Sequence, residues 1–118
     1  MQTIEKLVNN IWINYHPKSS LFTLELLHDQ GSGFILDLSD VNDLEEFDEL
    51  MKLFSHTIDK FELENSSSTL ELEWYQGHVI FTHDTMMIAN PFNNPIDIFN
   101  HQDVEHLLEV LKRIYKLT

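Results

Sequence analysis

Residues 58–90 constrain the fold more than any other stretch, because three successive turns within it agree on a single buried face. Leu70, Leu72 and Trp74 alternate with Glu71, Glu73 and Tyr75, which is the two-residue period of a strand with one buried and one wet side. Gln76-Gly77 follows as a two-residue turn, since glycine takes positive φ there without steric cost. That turn sets Trp74 opposite Val79, Leu72 opposite Phe81 and Leu70 opposite His83 on the inner side. Glu73/Ile80 and Glu71/Thr82 fall on the other. A turn at Asn65-Ser66-Ser67-Ser68 brings Leu63 to Leu70 and Phe61 to Leu72, again inside. Asp84-Thr85 is expected to reverse the chain once more and to lay Ile88 beside Phe81. The outer face then displays Lys60, Glu62, Glu64, Glu71, Glu73, Tyr75, His78, Ile80, Thr82, Met87 and Ala89.

Elsewhere the patterning alternates between helix and hairpin. Ile4, Leu7, Val8, Ile11 and Trp12 recur at three- and four-residue spacing, which predicts an amphipathic helix over 3–14, stopped by Pro17. Leu21–His28 and Phe34–Leu38 are rich in strand formers and flank Asp29-Gln30-Gly31-Ser32-Gly33, so they read as a hairpin. That glycine pair lacks the pattern of a phosphate loop and is read as a connection. Ser39 and Asp40 offer caps for a helix to about Ser55, with Val41, Leu44, Phe47, Met51 and Phe54 as its stripe. After the turn-rich Asn90–Pro95 segment, Asn100 and Asp103 resemble a capping arrangement for a last helix, with Val104, Leu107, Leu108, Leu111, Ile114 and Tyr115 inward. No internal repeat is visible. The expectation is one α+β domain over 1–118: an antiparallel sheet of about five to six strands packed against three helices, in the order α-β-β-α-β-β-β-β-α.

Charge is the loudest compositional feature. The chain has 118 residues with 20 acids against 7 bases, a formal net charge of −13. Such a surface repels phosphates and anionic lipid, so direct nucleic-acid or membrane binding is disfavoured and a basic protein is the partner that charge favours. No run of about 18 apolar residues is present to span a bilayer, and the amino terminus lacks a signal-peptide pattern, which makes cytoplasmic the default reading. With no cysteine, thiol catalysis, disulfides and the commonest structural zinc sites are excluded.

Seven histidines invite a search for chemistry. His78 and His83 are an odd number apart on one strand, so they point to opposite faces. His101 and His106 are five apart, a poor spacing for one helix face. His16, His28 and His56 each lie near the end of an element. No metal or cofactor is therefore expected. His83-Asp84 is the acid/base pair on which a small hydrolase or ligand-binding domain would be built, with His101 as a further pocket candidate, but no nucleophile is placed beside it. Nothing in spacing singles out two of the 20 carboxylates as a glycosidase pair.

The surface is more informative than any site. Glu62 opposite Glu71 is a like-charge neighbour that costs a few tenths of a kcal/mol, which a cationic partner would relieve. Acids interleaved with Tyr75, Ile80 and Met87 match an anchor within a charged rim. A second acidic feature, residues 37–49, holds seven acids and no base. The partner-binding candidates are accordingly Asp43, Glu45, Glu46, Asp48 and Glu49 on the helix and Glu62, Glu71, Glu73 and Tyr75 on the sheet.

In size, acidity and α+β build the chain resembles the immunity proteins that protect bacteria from nuclease toxins. That resemblance implies a non-enzymatic inhibitor that occludes a basic toxin or nuclease domain. Alternatives are a phage-type inhibitor that mimics nucleic acid, the hydrolase or ligand-binding domain with a site near His83 and Asp84, and a homodimer formed through the apolar outer-face residues.

Overall fold

The computed structural model describes residues 3–8, 11–26, 33–64, 68–85 and 96–118. Where a helix is expected over 3–14, the chain forms two strands, β1 (Ile4–Val8) and β2 (Ile11–His16), paired antiparallel with Ile4 opposite Tyr15 and Val8 opposite Ile11. Ile4, Leu7, Val8, Ile11 and Trp12 satisfy a helical stripe and a hairpin equally well. What decides is Ile13 and Tyr15, which the helical stripe leaves out. Ile11, Ile13 and Tyr15 are all buried and alternate with Trp12, Asn14 and His16, and β-branched and aromatic side chains suit a half-buried pleated surface.

β3 (Leu21–Leu26) and β4 (Gly33–Asp37) complete a four-stranded antiparallel sheet in the order β1-β2-β3-β4. Helix α1 (Val41–Phe54) follows, capped by the Asp40 carboxylate, which accepts from the amides of Asn42 and Asp43. Phe47, Leu50, Leu53 and Phe54 are its buried stripe, whereas Val41, expected inside, is exposed. The chain then repeats the plan. β5 (Lys60–Glu64), β6 (Ser68–Tyr75), β7 (His78–Thr85) and β8 (Ile96–Phe99) form a second four-stranded antiparallel sheet, and α2 (His101–Leu117) closes the chain behind a reciprocal Asn100/Asp103 capping box.

The expected single sheet of five to six strands with three helices is thus corrected to two four-stranded sheets and two helices, each sheet followed by a helix. The repeat lies in architecture and not in residue identity. Counted from their N-caps, Phe47, Leu50 and Phe54 of α1 occupy the positions of Leu107, Val110 and Ile114 of α2, and only the buried character is common to both sets.

In the second sheet the register is the one the turn chemistry implies: Trp74 faces Val79, Leu72 faces Phe81, Leu70 faces His83, Phe61 faces Leu72 and Glu62 faces Glu71. Gln76 (φ 51°) and Gly77 (φ 81°) both take the left-handed conformation between β6 and β7, as a two-residue hairpin turn requires. The expected reversal at Asp84-Thr85 does not occur. β7 runs through both residues, and Phe81 pairs with Asp97 of β8. Ile88, Met87, Ala89 and the Asn90–Pro95 connection lie outside the described residues, as do residues 29–32 of the first hairpin and 65–67 of the second.

Inner faces of both sheets meet in one buried cluster with both helices. Phe34 of β4 is its hinge point, 6.1 Å from Phe61 and 6.5 Å from Phe81 of the second sheet. Phe22 meets Phe47 of α1 edge-on at 5.1 Å, a geometry that aromatic quadrupoles favour. Because inward residues are consumed by this core, each sheet's alternate residues are left facing outward.

Candidate functional site

The outward side of the second sheet is built by its register. Glu62, Glu71 and Thr82 lie in one cross-strand row, and Lys60, Glu73, Ile80 and Ile98 lie in the next. Glu62, Glu64 and Glu73 are exposed and Glu71 is half-buried. Tyr75 is 58% exposed and Ile98 55%. Lys60 Nζ reaches diagonally to Glu71 Oε1 at 3.4 Å, and attraction and hydrogen bonding to Glu71 hold its ammonium above the usual lysine range. Among the described residues, one base therefore answers four glutamates here. Glu71, Glu73, Tyr75, Ile80 and Thr82 line a shallow depression of about 280 Å³. Four of the predicted contact residues, Glu62, Glu71, Glu73 and Tyr75, thus share one open face.

The helix acids lie elsewhere. α1 docks against the inner side of the second sheet, where the Trp74 indole N–H donates to the Leu53 carbonyl at 2.5 Å. Asp43, Glu45, Glu46, Asp48 and Glu49 are consequently on the opposite side of that sheet from the glutamate face, and the two features do not form one track. They also differ in what they are free to do. Asp43 Oδ2 accepts from the Asp37 amide at 2.8 Å, and Asp48 pairs with Lys52 at 3.6 Å. Burial and repulsion from Glu49, Asp43 and Glu45 push the Glu46 carboxyl above the usual carboxylate range.

Histidines play separate local parts. His56, at φ 60°, stacks on Trp74 at 4.2 Å and meets Asp59 at 2.9 Å. His101 lies 3.2 Å from Glu105, and His78 hydrogen-bonds the Gln76 carbonyl. Among the described residues, no group of three or more His, Asp or Glu is placed to hold a metal ion. The side chains of His83 and Asp84 lie outside the described residues; their backbones pair with Leu70 and Thr69.

The outward side of the first sheet is hidden from periodicity alone, because the spacing over 3–14 predicts a helix where β1 and β2 form. It carries Leu7 (52% exposed), Ile35 (65%) and half-buried Trp12 beside Asn14. The signal was present as the alternation of Ile11, Ile13 and Tyr15 with Trp12 and Asn14. No helix among the described residues is long and apolar enough to cross a membrane.

No protein-family model matches the sequence, and no curated protein sequence matches it. Solved structures do share its fold. The trypanosome proteins MRP1/MRP2 superpose with a TM-score of 0.62 at 8% identity, over 96% of this chain and 83% of that one. A guide-RNA-binding protein complex bound to a gRNA gives 0.62 at 6% identity, over 97% and 89% respectively. At such identities the likeness is one of fold, an α+β arrangement, and transfers no contact residue.

Proposed function

We propose that the chain is a non-enzymatic binding protein that neutralises a basic protein, of the bacterial nuclease-toxin kind, by occluding it in the cytoplasm. The carrying observation is the outer face of the second sheet, where Glu62, Glu64, Glu71 and Glu73 surround Tyr75, Ile80 and Ile98 and, among the described residues, Lys60 is the base paired with them. An aromatic and aliphatic centre with an acidic rim suits a cationic protein surface, and opposite charge would speed the encounter.

One structural neighbour is a complex bound to a guide RNA, yet a net charge of −13 works against phosphate contact, which in RNA-binding proteins draws its affinity from lysine and arginine. Mimicry of nucleic acid would be best served by one continuous acidic track; the separation of the α1 acids from the glutamate face favours simple occlusion of a protein site instead.

The test is affinity purification of the chain from its native cell, paired with a gel-shift titration of the purified protein against RNA. A basic protein retained at low salt and released at high salt, with no RNA shift, is the expected result. Retardation of RNA at physiological salt, or a partner indifferent to salt, refutes the proposal.

A further inference from the structure

β1 is the outermost strand of the first sheet, and among the described residues it pairs on one side only, with β2. A row of backbone N–H and C=O groups runs along its other edge, a template for a further strand unless something blunts it. β1 carries no proline and a single lysine, Lys6.

Beside that edge lies a cleft of about 330 Å³, bounded by Lys6, Leu7 and Val8 on one wall and by α2 from Asp103 to Arg113 on the other. Consecutive strand residues point to opposite faces. Three in a row therefore line one cleft only if it follows the strand's edge. The helical wall is the longer one: ten helical steps rise about 15 Å, and the three residues of β1 that line the cleft span about 10 Å.

The side chains give the cleft a chemical preference. Buried Val8 and Val110 supply an apolar floor. Lys6 and Arg113 bring two cations to it, while Glu109 adds one acid. The Asp103 carboxylate is engaged by the Asn100 amide at 3.3 Å in the helix cap.

We propose that this cleft accepts an extended peptide segment of another protein as a fifth strand on the β1 edge. Ladder hydrogen bonds supply the affinity, as in other strand-addition sites. An apolar side chain of the peptide sits over Val8 and Val110, and one carboxylate lies between Lys6 and Arg113. Glu109 selects against a run of acids. The surface is distinct from the glutamate face, so a peptide and a basic protein would bind at once.

The probe is a fluorescein-labelled, end-blocked peptide of alternating valine and threonine with one central glutamate, titrated into the full chain by fluorescence anisotropy with amide chemical shifts recorded alongside. Saturable binding is expected, with shifts at Lys6, Leu7 and Val8 and along α2. Full N-methylation of the peptide should weaken it about tenfold or more, because the ladder cannot form. Arg113→Gln should weaken the glutamate peptide about tenfold while leaving its glutamine counterpart and the melting temperature unchanged. Absence of saturation, indifference to N-methylation, or shifts confined to the outer face of the second sheet overturns the proposal.

Discussion

Reversing Glu71 and Glu73 to lysine separates the binding role of the glutamate face from any structural role. Glu71 lies opposite Glu62 and is bridged by Lys60, while Glu73 lies opposite Lys60. Glu71→Lys thus gains an opposite charge across from Glu62 and loses the bridge to Lys60. Glu73→Lys sets a second cation across from Lys60. These changes partly cancel; Glu73 is exposed and Glu71 half-buried, and surface substitutions clear of caps and core stay within about 0.5 kcal/mol each. The double variant should therefore unfold within about 1 kcal/mol of the parent, a shift of about 4 °C for a chain of this size.

Binding responds on another scale. Of the acidic residues, Glu71 and Glu73 line the depression itself, and two charges reversed where a contact is desolvated lose about 2 kcal/mol or more apiece, which together is close to a thousandfold, or about three decades in Kd. Partner capture on immobilised protein, quantified by mass spectrometry, measures this against thermal melts of the same samples. Each reversal adds two positive units, so net charge alone must be controlled for. Glu25→Lys with Glu105→Lys makes the same change at exposed positions on the first sheet and on α2. That control should keep most of the capture. If it loses as much as the face variant, or if capture falls only in step with stability, the face is not the contact surface.

Three further outcomes follow from local geometry. Trp74→Phe removes the N–H that donates to Leu53 and weakens the stack on His56, so the urea midpoint should fall by the equivalent of about 1–2 kcal/mol with the m-value unchanged. Gln76→Gly relieves a side chain held at φ 51°; the left-handed penalty of about 1–2 kcal/mol slightly exceeds the extra chain entropy glycine loses, so chemical denaturation should report a gain of about 0.5 kcal/mol. Glu46→Gln bears on pH: the folded carboxyl sits above its ordinary value of 4.5, so the fold binds that proton more tightly and loses stability as pH rises from there through the folded value. The glutamine variant should melt higher than the parent at neutral pH and converge with it below about pH 4.5, as melts across that range would show.

What could be read from the chain divides along physical lines. The register of β5, β6 and β7 was legible because alternation and the Gln76-Gly77 turn both act over a few residues, and a one-residue slip would turn every glutamate inward. Both helices were legible from their caps, Asp40 and Asn100. The amino-terminal hairpin was not, since five apolar residues fitted two periods and only Ile13 and Tyr15 distinguished them. β8 was missed for another reason: four residues between Pro95 and the Asn100 cap are too few to show a period. The position of the α1 acids relative to the glutamate face was out of reach altogether, because it depends on which side of the sheet the helix packs.

The same division explains why a shared fold says little about partners here. Inward residues such as Phe22, Phe34, Phe61 and Phe81 determine how the two sheets and two helices close on one another, and many apolar sets of similar volume would do so. Outward residues on the same strands carry almost none of that constraint. Glu62, Glu71 and Glu73 could be exchanged for lysine with little effect on the backbone, so chains that are 6–8% identical can keep one architecture while the sign of an exposed face changes. Because the fold leaves that sign free, charge on the outer face of the second sheet is the stronger guide to what this chain binds, and the Glu71/Glu73 reversal tests it without disturbing the architecture.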